Sequence, residues 1–290
     1  HATLYGPGDI REDGHLSFEG GYRSSTLAGS GTIDAYGGIL SDGSSVRLYD
    51  SRRIRNWGPA SFRGNYKELW LNDTAVFENS GTFQYSGPGD FRASGGSTSR
   101  FINLGTFEKS GPERLNVQFP FDNWNVVNVL EGTLALEGGS NIVSDGLFSG
   151  AIGAVMEFGM GLHFGPQSRV EAHNVVFRGG VNLRDITVDG TYNVTGTSTF
   201  SGGVVTFTPT SNVVNYGDSL VVVAGSANFN ADEPVQINHY IQSGGWANFN
   251  TGLPVTFGTL EQSGGYIKGS DAIEITGQAS WSVSGLAEAV

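Results

Sequence analysis

The chain has 290 residues, no cysteine, 45 glycines and a formal net charge of -12. The missing cysteines exclude a disulfide scaffold and thiolate metal sites, and glycine without a Gly-x-y period excludes collagen. An apolar share of 38% with 18 phenylalanines excludes a chain too poor in core residues to fold.

Charge is uneven along the chain. Residues 1–115 hold 12 Lys/Arg and 13 Asp/Glu, whereas residues 116–290 hold 4 and 15. A surface this acidic has no basic stripe to replace phosphate counterions, so nucleic acid is excluded as a partner. No apolar run approaches the ~20 residues a membrane-spanning helix needs. His1 is not a translation start, so the expectation is a mature or excised chain whose targeting segment has been removed.

Residues 1–20 contain Tyr5-Gly-Pro-Gly-Asp9 and Arg11-Glu-Asp13 and do not read as a helical cap. Gly31-Thr-Ile-Asp-Ala-Tyr-Gly-Gly38 is the first clear phrase, a short alternating strand entered and left through glycine. Gly132-Thr-Leu-Ala-Leu-Glu-Gly-Gly139 and Gly190-Thr-Tyr-Asn-Val194 repeat it. Arg52, Arg53 and Arg55 form the one basic cluster. They are expected on a solvated outer face, with recognition of a carboxylated sugar or phosphate as the functional alternative.

Asparagine keeps a frame. Asn56, Asn79, Asn103 and Asn123 follow an apolar residue two positions earlier, at steps of 23, 24 and 20. The expectation is an inward ladder of asparagines at a corner, tolerating the left-handed backbone region and bonding the adjacent coil. Phe77-Glu-Asn-Ser-Gly-Thr-Phe83 returns as Phe101-Ile-Asn-Leu-Gly-Thr-Phe107, 24 residues on. Asn72-Asp-Thr74 and Asn193-Val-Thr195 are glycosylation acceptors in a host that glycosylates.

Residues 140–190 are the least regular, and a lateral loop is expected there. Asp185 and Asp189 lie in one coil and could share a face, as paired carboxylates acting on a glycosidic bond would. Thr195, Thr197, Thr199, Thr206, Thr208 and Thr210 alternate locally without continuing at coil spacing, which argues against a flat ice-binding array. Further on the step is a strict 20. Gly225-Ser-Ala-Asn-Phe-Asn-Ala-Asp-Glu-Pro-Val235 reads against Gly245-Trp-Ala-Asn-Phe-Asn-Thr-Gly-Leu-Pro-Val255. One coil on from Asp218 stands Asn238, then Gly258, so the acids do not stack. Val194-Thr-Gly-Thr-Ser-Thr-Phe200-Ser201 matches Ile275-Thr-Gly-Gln-Ala-Ser-Trp281-Ser282 after 81 residues, so a new cycle begins at about residue 275. Residues 286–290 could at most begin a helix.

Periods of 20 to 24 residues without a helical pattern predict an all-β fold, a β-solenoid. The bias of parallel crossovers makes it a right-handed parallel β-helix. At roughly 22 residues per coil it has about 13 coils in one domain over 1–290, and at about 4.8 Å per coil it is on the order of 60 Å long.

These Phe-x-Asn-x-Gly-Thr-Phe, Gly-Thr-Leu-x-Leu-x-Gly-Gly and Thr-Gly-x-x-Ser/Thr-Trp/Phe-Ser phrases resemble the β-solenoid repeats of large secreted bacterial surface proteins, many of them adhesin-like. The resemblance spans about Gly20 to Gly285. It implies a secreted protein of the cell surface or extracellular matrix and carries over no catalytic residue.

The expected function is structural or adhesive: a filament or matrix subunit that stacks head-to-tail on itself or on neighbouring repeats. The alternative is a β-helix that binds or cleaves polysaccharide. No catalytic, cofactor-binding or metal residue is assigned, and an enzyme is not expected. Calcium is a weak candidate at Asp232-Glu233 and at Asp271. A copper site at His1 with His15, His163, His173 or His239 is disfavoured on fold grounds. The tryptophans Trp57, Trp70, Trp124, Trp246 and Trp281 are the candidate sugar platforms, with Trp246 expected outside and Trp281 in a stacked core like Phe200. Surface polysaccharide is the candidate outside partner.

Overall fold

A computed structural model of the chain describes residues 2–19, 24–63, 68–94, 98–138, 143–159, 161–179 and 185–282. Their regular elements are strands, with no helix among them. The strands pair in parallel and stack as a β-solenoid of about 12 turns, close to the number that the repeat spacing predicts. The contacts divide the chain into two compact units, His1–Glu157 and Phe158–Val290.

In the first unit a coil is three short strands. One coil runs through Val76–Asn79, Thr82–Ser86 and Gly89–Arg92, and the next through Arg100–Asn103, Thr106–Ser110 and Arg114–Val117. Register is kept residue by residue, Phe77 lying beside Ile54 on one side and Phe101 on the other. One side of the coil is a separate six-stranded sheet, from Ile10–Glu12 to Phe121–Asn123. Alternate residues point inward, and stacking identical positions puts ring on ring. Phe77–Phe101 and Phe101–Phe121 are each 5.0 Å apart with 6° between planes. Glycine follows the asparagine corner because coils touch there. A Cβ on Gly81 would lie 2.1 Å from the Gly58 carbonyl oxygen, and one on Gly105 2.0 Å from that of Gly81.

The second unit turns its corners differently. Thr191–Phe207 is a strand of 17 residues and Ser219–Phe229 one of 11. Register shifts fall between Ala172 and Asn174, Tyr192 and Asn193, and Phe200 and Val204. An extra residue bends a strand without ending it, so pairing continues around the bend. From Ser219 the coils settle to a step of 20, Ser226 pairing with Trp246 and Trp246 with Tyr266, and only the last pairs shorten it, Val255 with Ile273 and Leu260 with Ala279. The core is again stacked rings, Phe229–Phe249 at 4.7 Å and Tyr240–Phe257 at 4.4 Å.

The 81-residue cycle is a single column of neighbours: Phe200, Val222, Gln242, Gln262, Trp281. Trp281 thus shares the column of Phe200, yet it is 62% exposed while Phe200 is buried. The expected stacked core tryptophan has the right position without the burial. Within 140–190, the segments 143–159, 161–179 and 185–190 supply strands to the stacks. A lateral loop at 140–142, 160 or 180–184, and a helix at 286–290, fall outside the described residues.

Candidate functional site

The asparagine frame is a buried ladder. Asn56 Nδ2 donates to Asn79 Oδ1 at 2.9 Å, Asn79 to Asn103 at 2.9 Å, and Asn103 to Asn123 at 2.8 Å. The same amides also donate to main-chain carbonyls, Asn79 to Thr106, Asn103 to Val126 and Asn123 to Leu147. Each side chain therefore satisfies the corner of its own coil and the next. The left-handed backbone expected for these asparagines is instead adopted by Asp50 and Asp73, at φ 59° and 56°. Their carboxylates form a second ladder, accepting from the N–H of Gly29 at 2.7 Å and of Asp50 at 3.0 Å. Asn72, a glycosylation candidate by sequence, is buried and bonded to Leu48 and Ser94.

The basic cluster divides. Arg52 does not lie on the outer face: it is buried and donates to the carbonyls of Gly6, Gly8 (3.0 Å) and Ala28 (2.8 Å). A fork of five N–H donors suits a corner where several carbonyls converge. Arg55 pairs with Asp34 at 2.9 Å and Arg53 with Glu78 at 3.8 Å, so both outward arginines have carboxylate partners. Lys109, which the sequence did not mark, is also buried and donates to the carbonyls of Gly111 (2.5 Å) and Glu131 (3.0 Å). Burial pulls its pKa down.

On another face of this unit Trp70 lies between the guanidinium groups of Arg47 and Arg92, 5.3 and 5.6 Å from its centroid. Arg92 pairs with Glu68 and Asp90, Asn116 donates to Asp90, and Arg114 pairs with Glu137 and Glu157. Carboxylates lie along this face, but each of these four has a cation beside it.

The residue after each corner position points out. Tyr36, Trp57, Ser80, Leu104 and Trp124 take successive coils, fixed by main-chain bonds such as Trp57 N–H to Ala35 and Leu104 N–H to Asn79. All but Ser80 are 43–44% exposed. From Trp57 to Trp124 the row is the position following each frame asparagine, and Tyr36 follows Ala35.

In the second unit His163 Nε2 lies 2.6 Å from Asp189 Oδ2, and Thr208 donates to Asp189 Oδ1 at 2.6 Å. Burial works against the Asp189 charge, but the bonds from Thr208 and His163 outweigh it and hold the pKa below the ordinary value. Asp185, Thr187 and Asp189 do share the outward face, alternating with buried Ile186 and Val188. Four residues of extended strand separate the two acids by about 13 Å. A glycosidase pair stands within roughly 9.5 Å, closer than these two acids.

Asp218 accepts from Asn238 at 2.7 Å, the stacking that the sequence predicts. His173 and His239 each bond a threonine of the next coil, Thr195 and Thr259. His1 lies outside the described residues. Asp271, a calcium candidate, accepts from the N–H of Thr251 (2.6 Å), its hydroxyl (2.8 Å) and the N–H of Gly252 (3.0 Å). Burial opposes its charge, and these bonds depress its pKa nonetheless. Among the described residues no three His, Asp or Glu side chains gather as a metal site. Trp246 is outward and half-exposed as expected, with Lys268 Nζ 4.2 Å from its centroid and Tyr266 beside it.

Comparison with protein-family models, curated proteins and solved structures finds no match to this chain.

Proposed function

We propose that the chain is a structural and adhesive β-solenoid, secreted to a cell surface or extracellular matrix. The observation that carries this reading is where its polar side chains are used. Asn56 to Asn123, Asp50, Asp73, Arg52 and Lys109 are all spent on joining one coil to the next. Such a chain is built to hold a shape, and its outer rows are what remain for contact.

Head-to-tail stacking, on a second copy or on further repeats, belongs to the same proposal. Each coil pairs in parallel and in register with the one before it, as Ile273–Ile275 and Ala279–Trp281 do with Val255–Gln262, and the same pairing would seat a coil of a second copy. Sedimentation and electron microscopy over rising concentration test this: end-to-end oligomers are expected, and dispersed monomers at high concentration overturn it.

Carbohydrate binding is the second reading, favoured by the exposed aromatic row of the first unit. Cleavage is tested separately, by incubating acidic polysaccharides with the protein and following absorbance from unsaturated sugars; no rise is expected.

A further inference from the structure

We propose that the corner at Ser80 is a slot for one pyranose ring of a neutral saccharide. The inference rests on the adhesive half of the reading above and names its ligand class. It begins with a ladder that has a rung missing. Arg11 lies 4.6 Å over the ring of Tyr36, and Tyr36 stacks on Trp57 at 6.1 Å with 9° between planes. Trp57 Nε1 donates to Asp34 Oδ1 at 3.1 Å, which pins the indole back over Tyr36. Its other face is turned toward the coil of Ser80. Serine is too short to cover an indole, and the next side chain in the row is Leu104.

Two coil spacings separate Trp57 from Leu104, about 9.6 Å. A ring held at the level of Ser80 would lie about 4.8 Å from each wall. That is the stacking distance this unit already uses inside, 4.8 Å for Phe62–Phe83, 5.0 Å for Phe77–Phe101 and 5.2 Å for Phe83–Phe107. One coil spacing on each side leaves room for a single ring.

The floor decides which ring. Ser80 Oγ has no hydrogen-bond partner among the described residues. Glu78 and Thr82 stand two residues to either side, at outward positions of their strands, and Glu78 meets Arg53 only at 3.8 Å. Apolar walls above a polar floor match a pyranose, which has C–H faces and a hydroxyl rim. A planar aromatic side chain would leave the floor groups unused. Glu78 and Asp34 on this side of the coil disfavour an anionic sugar, since Arg53 and Arg55 are already paired with them.

The test is titration of the whole chain with cellotetraose, chitotetraose and maltotetraose, read by tryptophan fluorescence and calorimetry. Saturable binding of at least one is expected. Trp57→Ala removes a wall and Ser80→Trp fills the slot, and each should weaken binding tenfold or more. Trp246→Ala should leave it within twofold. Circular dichroism checks that the variants fold, and Ser80→Trp keeps the ladder intact should Trp57→Ala fail to. Saturation by none of the three sugars overturns the proposal, as does binding that both slot variants leave unchanged. Binding of N-acetyl-tryptophanamide more tightly than any sugar, lost in Ser80→Trp, also overturns it and assigns the slot to an aromatic side chain of a protein partner. None of these failures bears on end-to-end assembly, which sedimentation reads independently.

Discussion

The two units solve the same problem, a chain that must bend three times per coil, with different chemistry. Up to its last coil the first unit breaks its strands and fixes the corner with side chains: a buried asparagine ladder, an aspartate ladder in the left-handed region, one buried arginine and one buried lysine among the described residues. The second unit keeps long strands running and bends them with bulges, as in the 17-residue strand Thr191–Phe207, and reserves a side-chain corner for buried Gln242. Its buried polar groups include the tyrosines Tyr192, Tyr216 and Tyr240. A corner made by side chains is specific and fragile, because each removed amide strands partners on two coils. A corner made by the backbone tolerates more.

The largest expected effect is therefore at the centre of the asparagine ladder. Asn79→Ala leaves Asn56 and Asn103 each short of a buried partner and should cost about 3 kcal/mol in urea denaturation. Asn248→Ala, which removes a bond to Asn228 on the outer row of the second unit, should cost less than about 0.5 kcal/mol. Equal losses would dissolve the contrast. Lys109→Met retains the buried stem but frees the carbonyls of Gly111 and Glu131, with an expected loss of about 2 kcal/mol.

Alkaline pH should single out the second unit. Burial raises the pKa of Tyr192, Tyr216 and Tyr240, and of Tyr85 in the first unit. A raised folded pKa means that stability is fully present below the ordinary tyrosine pKa of about 10 and is lost as pH rises beyond it, by about 1 kcal/mol per tyrosine at pH 11. Three such groups against one among the described residues predict that the second unit unfolds first in alkali, which hydrogen exchange resolves by region. Tyr240→Phe should remove its share of the loss.

A small effect is expected at Asp271. Its depressed pKa contributes stability that is present above the ordinary carboxylate value and lost as pH falls through the folded value. Asp271→Asn should flatten the acid limb of the stability profile, with a loss at neutral pH below about 1 kcal/mol at this partly exposed site.

Much of this was legible because a solenoid repeats. Coil spacing could be counted from the Phe-x-Asn-x-Gly-Thr-Phe phrase, and the register of Phe77 with Phe101, or Ser226 with Trp246, is the register that the repeats align. The inward asparagines followed from the apolar residue two positions before each. The outward row of Tyr36, Trp57, Leu104 and Trp124 was present as the next residue in the same frame, but only the stacked coils make a row of residues some twenty positions apart.

The sequence by itself determined the period, and through it the parallel stacking, the inward columns and the identity of the corner residues, because each coil sees nearly the same environment as its neighbours. It did not determine the fate of single charges. Arg52 and Arg53 are adjacent in sequence, yet one is buried on carbonyls and the other pairs with Glu78 outside. Side chains on successive strand residues leave opposite faces, and only the tertiary structure says which face has carbonyls to satisfy and which has a carboxylate one coil away.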